Sequence, residues 1–274
     1  MVGEGPGTEA PQAPATPREG VSRRSFLAGL AVAGAAIASG PGLRTVLAAD
    51  DLSSVRASNG DPDDQWVMVF DLRLCDGCRD CTKGCQGEHH LDEDIEWIKV
   101  YELRDSIGRS YPFPVLCMQC RNAPCTRACP VGATYHTADG VVVVDQDICI
   151  GCRMCMAACP YDVRVFNWRD QHDVPVEHHD DRPEFTVPQT KGTVGKCALC
   201  VHDLREGAYP ACLESCSMGA IYVGNLASDA ATNRRETVIL SDFLIDNDAF
   251  RFREELGTEP RVYYIAGHGQ DLEY

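Results

Sequence analysis

Cysteine thiolates are soft metal ligands, and this chain sets sixteen of them in four groups with none left over. The groups are Cys75, Cys78, Cys81 and Cys85; Cys117, Cys120, Cys125 and Cys129; Cys149, Cys152, Cys155 and Cys159; and Cys197, Cys200, Cys212 and Cys216. The first and third have the C-x2-C-x2-C-x3-C spacing of bacterial ferredoxin sites. Cysteines three apart can aim their thiolates at one cluster from a tight turn. The last of each such group, four residues further on, lies beyond that turn and starts a helix. In two-cluster ferredoxins it ligates the neighbouring cluster. Four complete thiolate sets imply four [4Fe–4S] clusters, with all sixteen cysteines as iron ligands. A chain of clusters moves electrons.

Two other uses of cysteine compete with this one. Exported chains with an even cysteine count are often disulfide frameworks. C-x2-C-x2-C repeats, however, make neighbours compete for the same partner. Zinc sites use paired C-x2-C units, usually with His, and rarely a third cysteine three residues on. Asp76-Gly77 and Ile150-Gly151 place glycine inside two of the loops, where backbone must approach sulfide closely and donate N–H groups to it. Pro130 and Pro160 follow Cys129 and Cys159 and stiffen the exit. Gln86 and Ser217 take that place in the other two groups, a departure from the ferredoxin pattern.

The elements that must position these groups follow from what lies between them. After group two come Thr134-Tyr135-His136, an Asp139-Gly140 turn and Val141 to Val144, a β-hairpin signal. A hairpin there joins groups two and three as one two-cluster module. Groups one and four remain and form an outer module that the inner one interrupts. Gly219-Ala220-Ile221-Tyr222-Val223 after group four mirrors Gly132-Ala133-Thr134-Tyr135 after group two, which supports two related modules. The fold expected is α+β, with two ferredoxin-like dicluster modules, the second nested within the first. The outer module covers residues 50–110 and 190–230, the inner one 111–170. A connecting insertion occupies 171–189 and a C-terminal extension 231–274. A helix is expected near Asp246–Leu256, stopped by Gly257, and a strand over Arg261 to Ile265.

Composition and leader bound the setting. Only 7% of residues are aromatic, against 24 Gly and 16 Pro, which suits a turn-rich protein with a partly inorganic interior. A formal charge of −16 argues against nucleic acid and against an anionic membrane surface as partners. Residues 1–49 read as a leader outside the fold. Ser22-Arg23-Arg24-Ser25-Phe26-Leu27 precedes an apolar run, Phe26 to Ala38, well short of the roughly 20 residues a bilayer span needs. Small residues follow at Ala48-Ala49. This resembles a twin-arginine export signal. That route carries folded proteins, as a chain filled with clusters in the cytoplasm requires. The expected location is periplasmic, or the outer face of the cytoplasmic membrane, peripheral through partners.

Cys117-Met118-Gln119-Cys120 with Cys125-Thr126-Arg127-Ala128-Cys129-Pro130-Val131-Gly132-Ala133 carries a family resemblance. So do Cys159-Pro160-Tyr161 through Phe166-Asn167-Trp168, Lys196-Cys197-Ala198-Leu199-Cys200, and Pro210-Ala211-Cys212. They resemble the four-cluster electron-transfer subunit of molybdopterin oxidoreductases, as in dimethyl sulfoxide, polysulfide and tetrathionate reductases. The resemblance covers about residues 65–225 and the tail Glu254 to Tyr264. It implies ligand exchange: Cys75, Cys78, Cys81 with Cys216; Cys197, Cys200, Cys212 with Cys85; Cys117, Cys120, Cys125 with Cys159; Cys149, Cys152, Cys155 with Cys129. It also implies a molybdopterin-binding catalytic subunit and a multi-helix, quinone-interacting membrane subunit as partners. A multihaem cytochrome is a further partner type, and anaerobic or sulfur-compound respiration the setting. The alternative function is a relay in a quinone, cytochrome or hydrogenase complex without molybdenum.

The remaining candidates read as structure. His172, His178, His179, Asp180 and Asp181 lie in the long insertion between groups three and four, with no spacing that fixes a metal, and read as a solvated, partner-facing loop. His89-His90 reads as exposed polar surface, with tuning of an outer cluster as the alternative. Trp168 and Tyr161 read as packing. No nucleophile constellation, phosphate loop or dinucleotide fingerprint stands in the chain. No catalytic residue is therefore expected, and the protein is expected to act as a non-catalytic electron-transfer subunit.

Overall fold

Trp66-Val67-Met68-Val69-Phe70-Asp71 is apolar almost throughout, the pattern of a strand covered on both faces. It forms β1 (Trp66–Asp71), an interior strand of the main sheet. This is a computed structural model, which describes residues 64–105, 107–169, 177–178 and 185–267. The leader expected over residues 1–49 lies outside the described residues.

The other elements follow in chain order. They are α1 (Asp80–Glu88), the hairpin β2 (Lys99–Arg104) and β3 (Ser110–Val115), α2 (Pro124–Arg127), β4 (Thr134–His136), β5 (Val142–Val144) and α3 (Met154–Ala157). Then come β6 (Val165–Phe166), β7 (Glu177–His178), β8 (Thr186–Val187), β9 (Val194–Gly195), α4 (Val201–Arg205), α5 (Ala211–Glu214) and β10 (Ile221–Asn225). β11 (Ala230–Thr232), β12 (Thr237–Ile239), α6 (Leu240–Asp246), a 3-10 turn (Glu254–Leu256) and β13 (Val262–Ile265) close the chain. The content is mixed helix and strand, with short helices throughout.

Five strands form the main sheet in the order β12-β11-β10-β1-β13. β1 runs antiparallel to β10, with Val69 opposite Tyr222, and parallel to β13, with Val69 opposite Tyr263. Its two faces serve different ends. Met68 and Phe70 enter the core that holds most of the cysteines. Val67 and Val69 face the other way, onto Tyr222, Leu240 and Ile265 beneath α6. Residues 231–267 are thus built into the sheet rather than appended to it. The chain also ties back at Arg261, whose N–H donates to Met118 O at 2.9 Å, beside the second cysteine group.

The expected hairpin is present, with Thr134 opposite Val144 and the turn closed between Thr137 and Val141. The expected helix over Asp246–Leu256 is displaced. α6 ends at Asp246, and Phe250 exchanges both backbone hydrogen bonds with Tyr264 at 2.8 Å, which demands extended chain. Tyr264 is fully buried, so core packing outweighs local helix preference there. Gly257, at φ 64°, does end the 3-10 turn.

The insertion is not wholly a solvated loop. Val187 and Val194 are buried, and Gln189 is buried against Gln146. His172, His179, Asp180 and Asp181 lie outside the described residues, and of His178 only the backbone is described, in β7.

Candidate metal centres

Each cysteine-bearing helix presents two thiols four residues apart, one turn above the other on the same face. In α1 these are Cys81 and Cys85. In α5 and just beyond it they are Cys212 and Cys216. α2 and α3 do the same with Cys125 and Cys129, and with Cys155 and Cys159. α1 packs on α5, and α2 on α3. Each helix can therefore serve two neighbouring centres.

The thiols gather accordingly. Cys75, Cys78, Cys81 and Cys216 line one cavity, hereafter site 1. Cys117, Cys120, Cys125 and Cys159 line another, site 3. Cys129, Cys149, Cys152 and Cys155 line a third, site 4. Site 2 consists of Cys85, Cys197, Cys200 and Cys212. All four are buried, and the thiols of Cys85 and Cys212 each feel those of Cys197 and Cys200. No histidine lines the three cavities, and all sixteen cysteines are unpaired. Four thiols to a site with no histidine among them is a donor set that fits iron–sulfur clusters.

The loops are shaped by backbone in the left-handed region. Gly77 and Gly151 have φ of 78° and 64°, and Arg79 and Arg153, one residue after the second cysteine of their groups, have φ of 64° and 61°. Gly151 has no alternative, because a Cβ there would stand 1.9 Å from Gly192 O. Backbone N–H groups are turned onto sulfur: Leu199 N–H donates to Cys197 Sγ and Ala220 N–H to Cys216 Sγ, each at 3.4 Å.

Burial raises the thiols. Desolvation, with Cys75 and Cys216 adding, pushes Cys81 up to about 12. Desolvation with Cys117 beside it pushes Cys120 up to about 12, and Cys197 is pushed up to about 11. Such groups stay protonated until metal displaces the proton. Neighbouring thiols also give the order of the sites. Cys85 and Cys212 of site 2 feel Cys81 of site 1. Cys197 of site 2 feels Cys117 of site 3. Cys155 of site 4 feels Cys125 of site 3. The succession is 1–2–3–4, with Cys78 exposed at one end and Cys152 at the other.

Several residues near the sites escape a reading of sequence alone. His89 is not exposed surface. It is buried, its Nε2 lies 3.5 Å from Cys200 Sγ, and its ring packs 4.6 Å from Trp97. Burial, with His202 and His90 adding, lowers its pKa to about 3, so the imidazole is neutral. His90 is exposed, as expected. His202 Nε2 meets Glu88 at 3.2 Å and Asp203 at 3.5 Å. Gln119 bridges groups two and four, donating to Cys197 O at 2.9 Å and accepting from Val142 N–H at 2.9 Å. The buried cations Arg164 and Lys196 also approach the cysteine sites. Their only sequence signal is a cation within an apolar stretch. Tyr161 lines site 3, while Trp168 is 66% exposed and stacked with Arg153.

Comparison with known proteins agrees with this chemistry. The family model for the 4Fe-4S dicluster domain matches residues 109–175. A selenate reductase subunit of Mesobacillus selenatarsenatis is 37% identical over 73% of this chain and 72% of its own length. A tetrathionate reductase subunit of Salmonella typhimurium is 32% identical over 89% of this chain and 88% of its own. The menaquinone reductase iron-sulfur cluster-binding subunit of Nitratidesulfovibrio vulgaris is 34% identical over 74% and 89%. A chain that binds [4Fe–4S] clusters and shares this much sequence with such subunits belongs to the iron–sulfur electron-transfer subunits of the molybdopterin oxidoreductase family.

Proposed function

We propose that sites 1 to 4 each hold one [4Fe–4S] cluster and that the chain is a four-step electron relay between two partner subunits. The observation that carries this is the unbranched succession of four sets of four cysteines, with an exposed cysteine, Cys78 or Cys152, at each end. A bound cluster supplies one-electron exchange without atom transfer. The chain's own residues fix the spacing, exclude water from site 2 and turn N–H donors onto sulfur. On this reading groups one and four form an outer ferredoxin-like module interrupted by the inner one, and each paired helix lends its last thiol to the neighbouring site.

The ends are the docking points. Leu74 and Met218 are exposed beside site 1, and Ile150, Met154 and Trp168 beside site 4. The relatives named for selenate, tetrathionate and menaquinone reductases support a molybdopterin-binding catalytic subunit at one end and a multi-helix quinone-reactive membrane subunit at the other. Among the described residues no helix is long and apolar enough to cross a membrane. The substrate chemistry then belongs to the partner and not to this chain. The leader adds export by the twin-arginine route and a periplasmic or outer-face location in a respiratory complex.

Ligand exchange gives the decisive experiment. The wild-type chain, purified without oxygen, is expected to hold about sixteen irons with similar sulfide. Cys129→Ser removes a thiolate from site 4 and Cys159→Ser one from site 3. Serine oxygen is a harder, poorer ligand for iron, so each variant is expected to shift a potential or give a three-iron signal in electron paramagnetic resonance. The two variants must alter different centres. If Cys129→Ser altered the centre of Cys117, Cys120 and Cys125, or if zinc replaced iron, the relay as drawn would be wrong.

A further inference from the structure

Three cationic side chains are buried among the described residues: Arg164, Lys196 and Arg261. Arg261 has the Asp139 carboxylate close by. Arg164 and Lys196 form no ion pair with any described carboxylate. A buried cation without a countercharge is strongly unfavourable, so something in the working protein must compensate both.

Their positions say what. Arg164 is 3% exposed and lines the site 3 cavity. Its guanidinium faces Cys117, Cys125 and Cys159 of site 3 and Cys155 of site 4. Nη1 donates to Thr134 Oγ1 at 3.2 Å, but Nη2 is buried with no hydrogen-bond partner. An orphaned donor aimed among thiols is one that sulfur would accept from. Lys196 Nζ donates to Cys197 O at 2.8 Å and to Val142 O. Cys197 belongs to site 2, and Val142 lines site 3. One cation therefore stands at the junction of sites 3 and 4, the other at that of sites 2 and 3. Site 1 differs. Its cavity is lined by Asp76 and by Arg79, which is about half exposed and paired with Glu96.

We propose that Arg164 and Lys196 are potential-setting residues, each a buried countercharge shared by the two clusters beside it, which raises their reduction potentials relative to site 1. The proposal rests on the cluster assignment above. Four thiolates make a bound cluster net negative, and reduction adds one more negative charge. A fixed cation in a poorly screened interior stabilises the reduced form more than the oxidised one. Arginine suits this position because its charge is permanent and its fork of donors can serve sulfurs on two sides.

The test is a redox titration followed by electron paramagnetic resonance on the cluster-loaded protein in its complex, with iron and sulfide measured on the same samples. Arg164→Met is expected to keep its iron and to lower two midpoint potentials. The expected size is about a tenfold change in the reduction equilibrium, or about 59 mV for a one-electron couple. Arg164→Lys is expected to restore half or more of that shift, and the site 1 signal is expected to stay fixed. Lys196→Met is expected to move a different pair that shares one centre with the first. If Arg164→Met loses iron, Arg164→Lys decides: retained iron there supports the countercharge, and equal loss overturns it. Unchanged potentials at full iron content in both Met variants would also overturn it, while leaving the cluster assignment standing. A wild-type protein without iron–sulfur signals would instead remove the assignment itself.

Discussion

At the scale of single residues, His89 is a neutral imidazole held between Trp97 and the thiol of Cys200. A neutral ring carries one N–H, and the near sulfur is the acceptor that fits it. A hydrogen bond to a ligand sulfur withdraws electron density and raises the centre's potential. His89→Leu is therefore expected to lower the potential of site 2. If the bond is worth about 0.5–1.5 kcal/mol, the shift is about 20–60 mV for one electron. Potentiometry on a variant with full iron content checks this, and an unmoved site 2 would reduce His89 to packing. Why the sequence hides this role is plain from the geometry. His89 and Cys200 lie 111 residues apart, and the pair His89-His90 has nothing local to say which ring turns inward.

Among the elements, the contact between α1 and α5 holds the outer pair of sites together. Gly84 lies at the crossing, where a Cβ would stand 2.1 Å from Ser215 Oγ and 2.9 Å from Ala211 O. The serine hydroxyl can rotate away, but the Ser215 Cβ, at 2.8 Å, and the carbonyl cannot. Gly84→Ala is expected to cost about 1–3 kcal/mol by overpacking. It is also expected to drop iron from sites 1 and 2 while sparing sites 3 and 4, as iron analysis and spectra of the purified variant will show. Equal loss from all four sites would place the fault elsewhere. The elements differ in how far the sequence reveals them. The Asp139-Gly140 hairpin and the cysteine turns are legible because their signals are local. β1 and the extended stretch at Phe250 are not, because partners far along the chain impose them. β1 is sandwiched by strands from the far end of the chain, and Phe250 is held by Tyr264.

Across the whole molecule, the proposed export signal and the proposed cluster set belong together. Arg23→Lys with Arg24→Lys is expected to leave unprocessed protein in the cytoplasm with its clusters in place, as cell fractionation and iron content will show. Normal export of the double variant would remove the twin-arginine reading. The sheet adds a constraint of another kind, one of timing during synthesis. β13 pairs with β1, and Cys216 completes the cavity begun at Cys75. A ribosome that has just made Cys159 has supplied every thiol of sites 3 and 4 but only four of the eight needed by sites 1 and 2. The inner half of the relay has all its thiols while the outer half still lacks four, and Val194 closes the lining of site 4 soon after. Closure of the outer half waits until Val262 has left the tunnel and can lie down beside Met68.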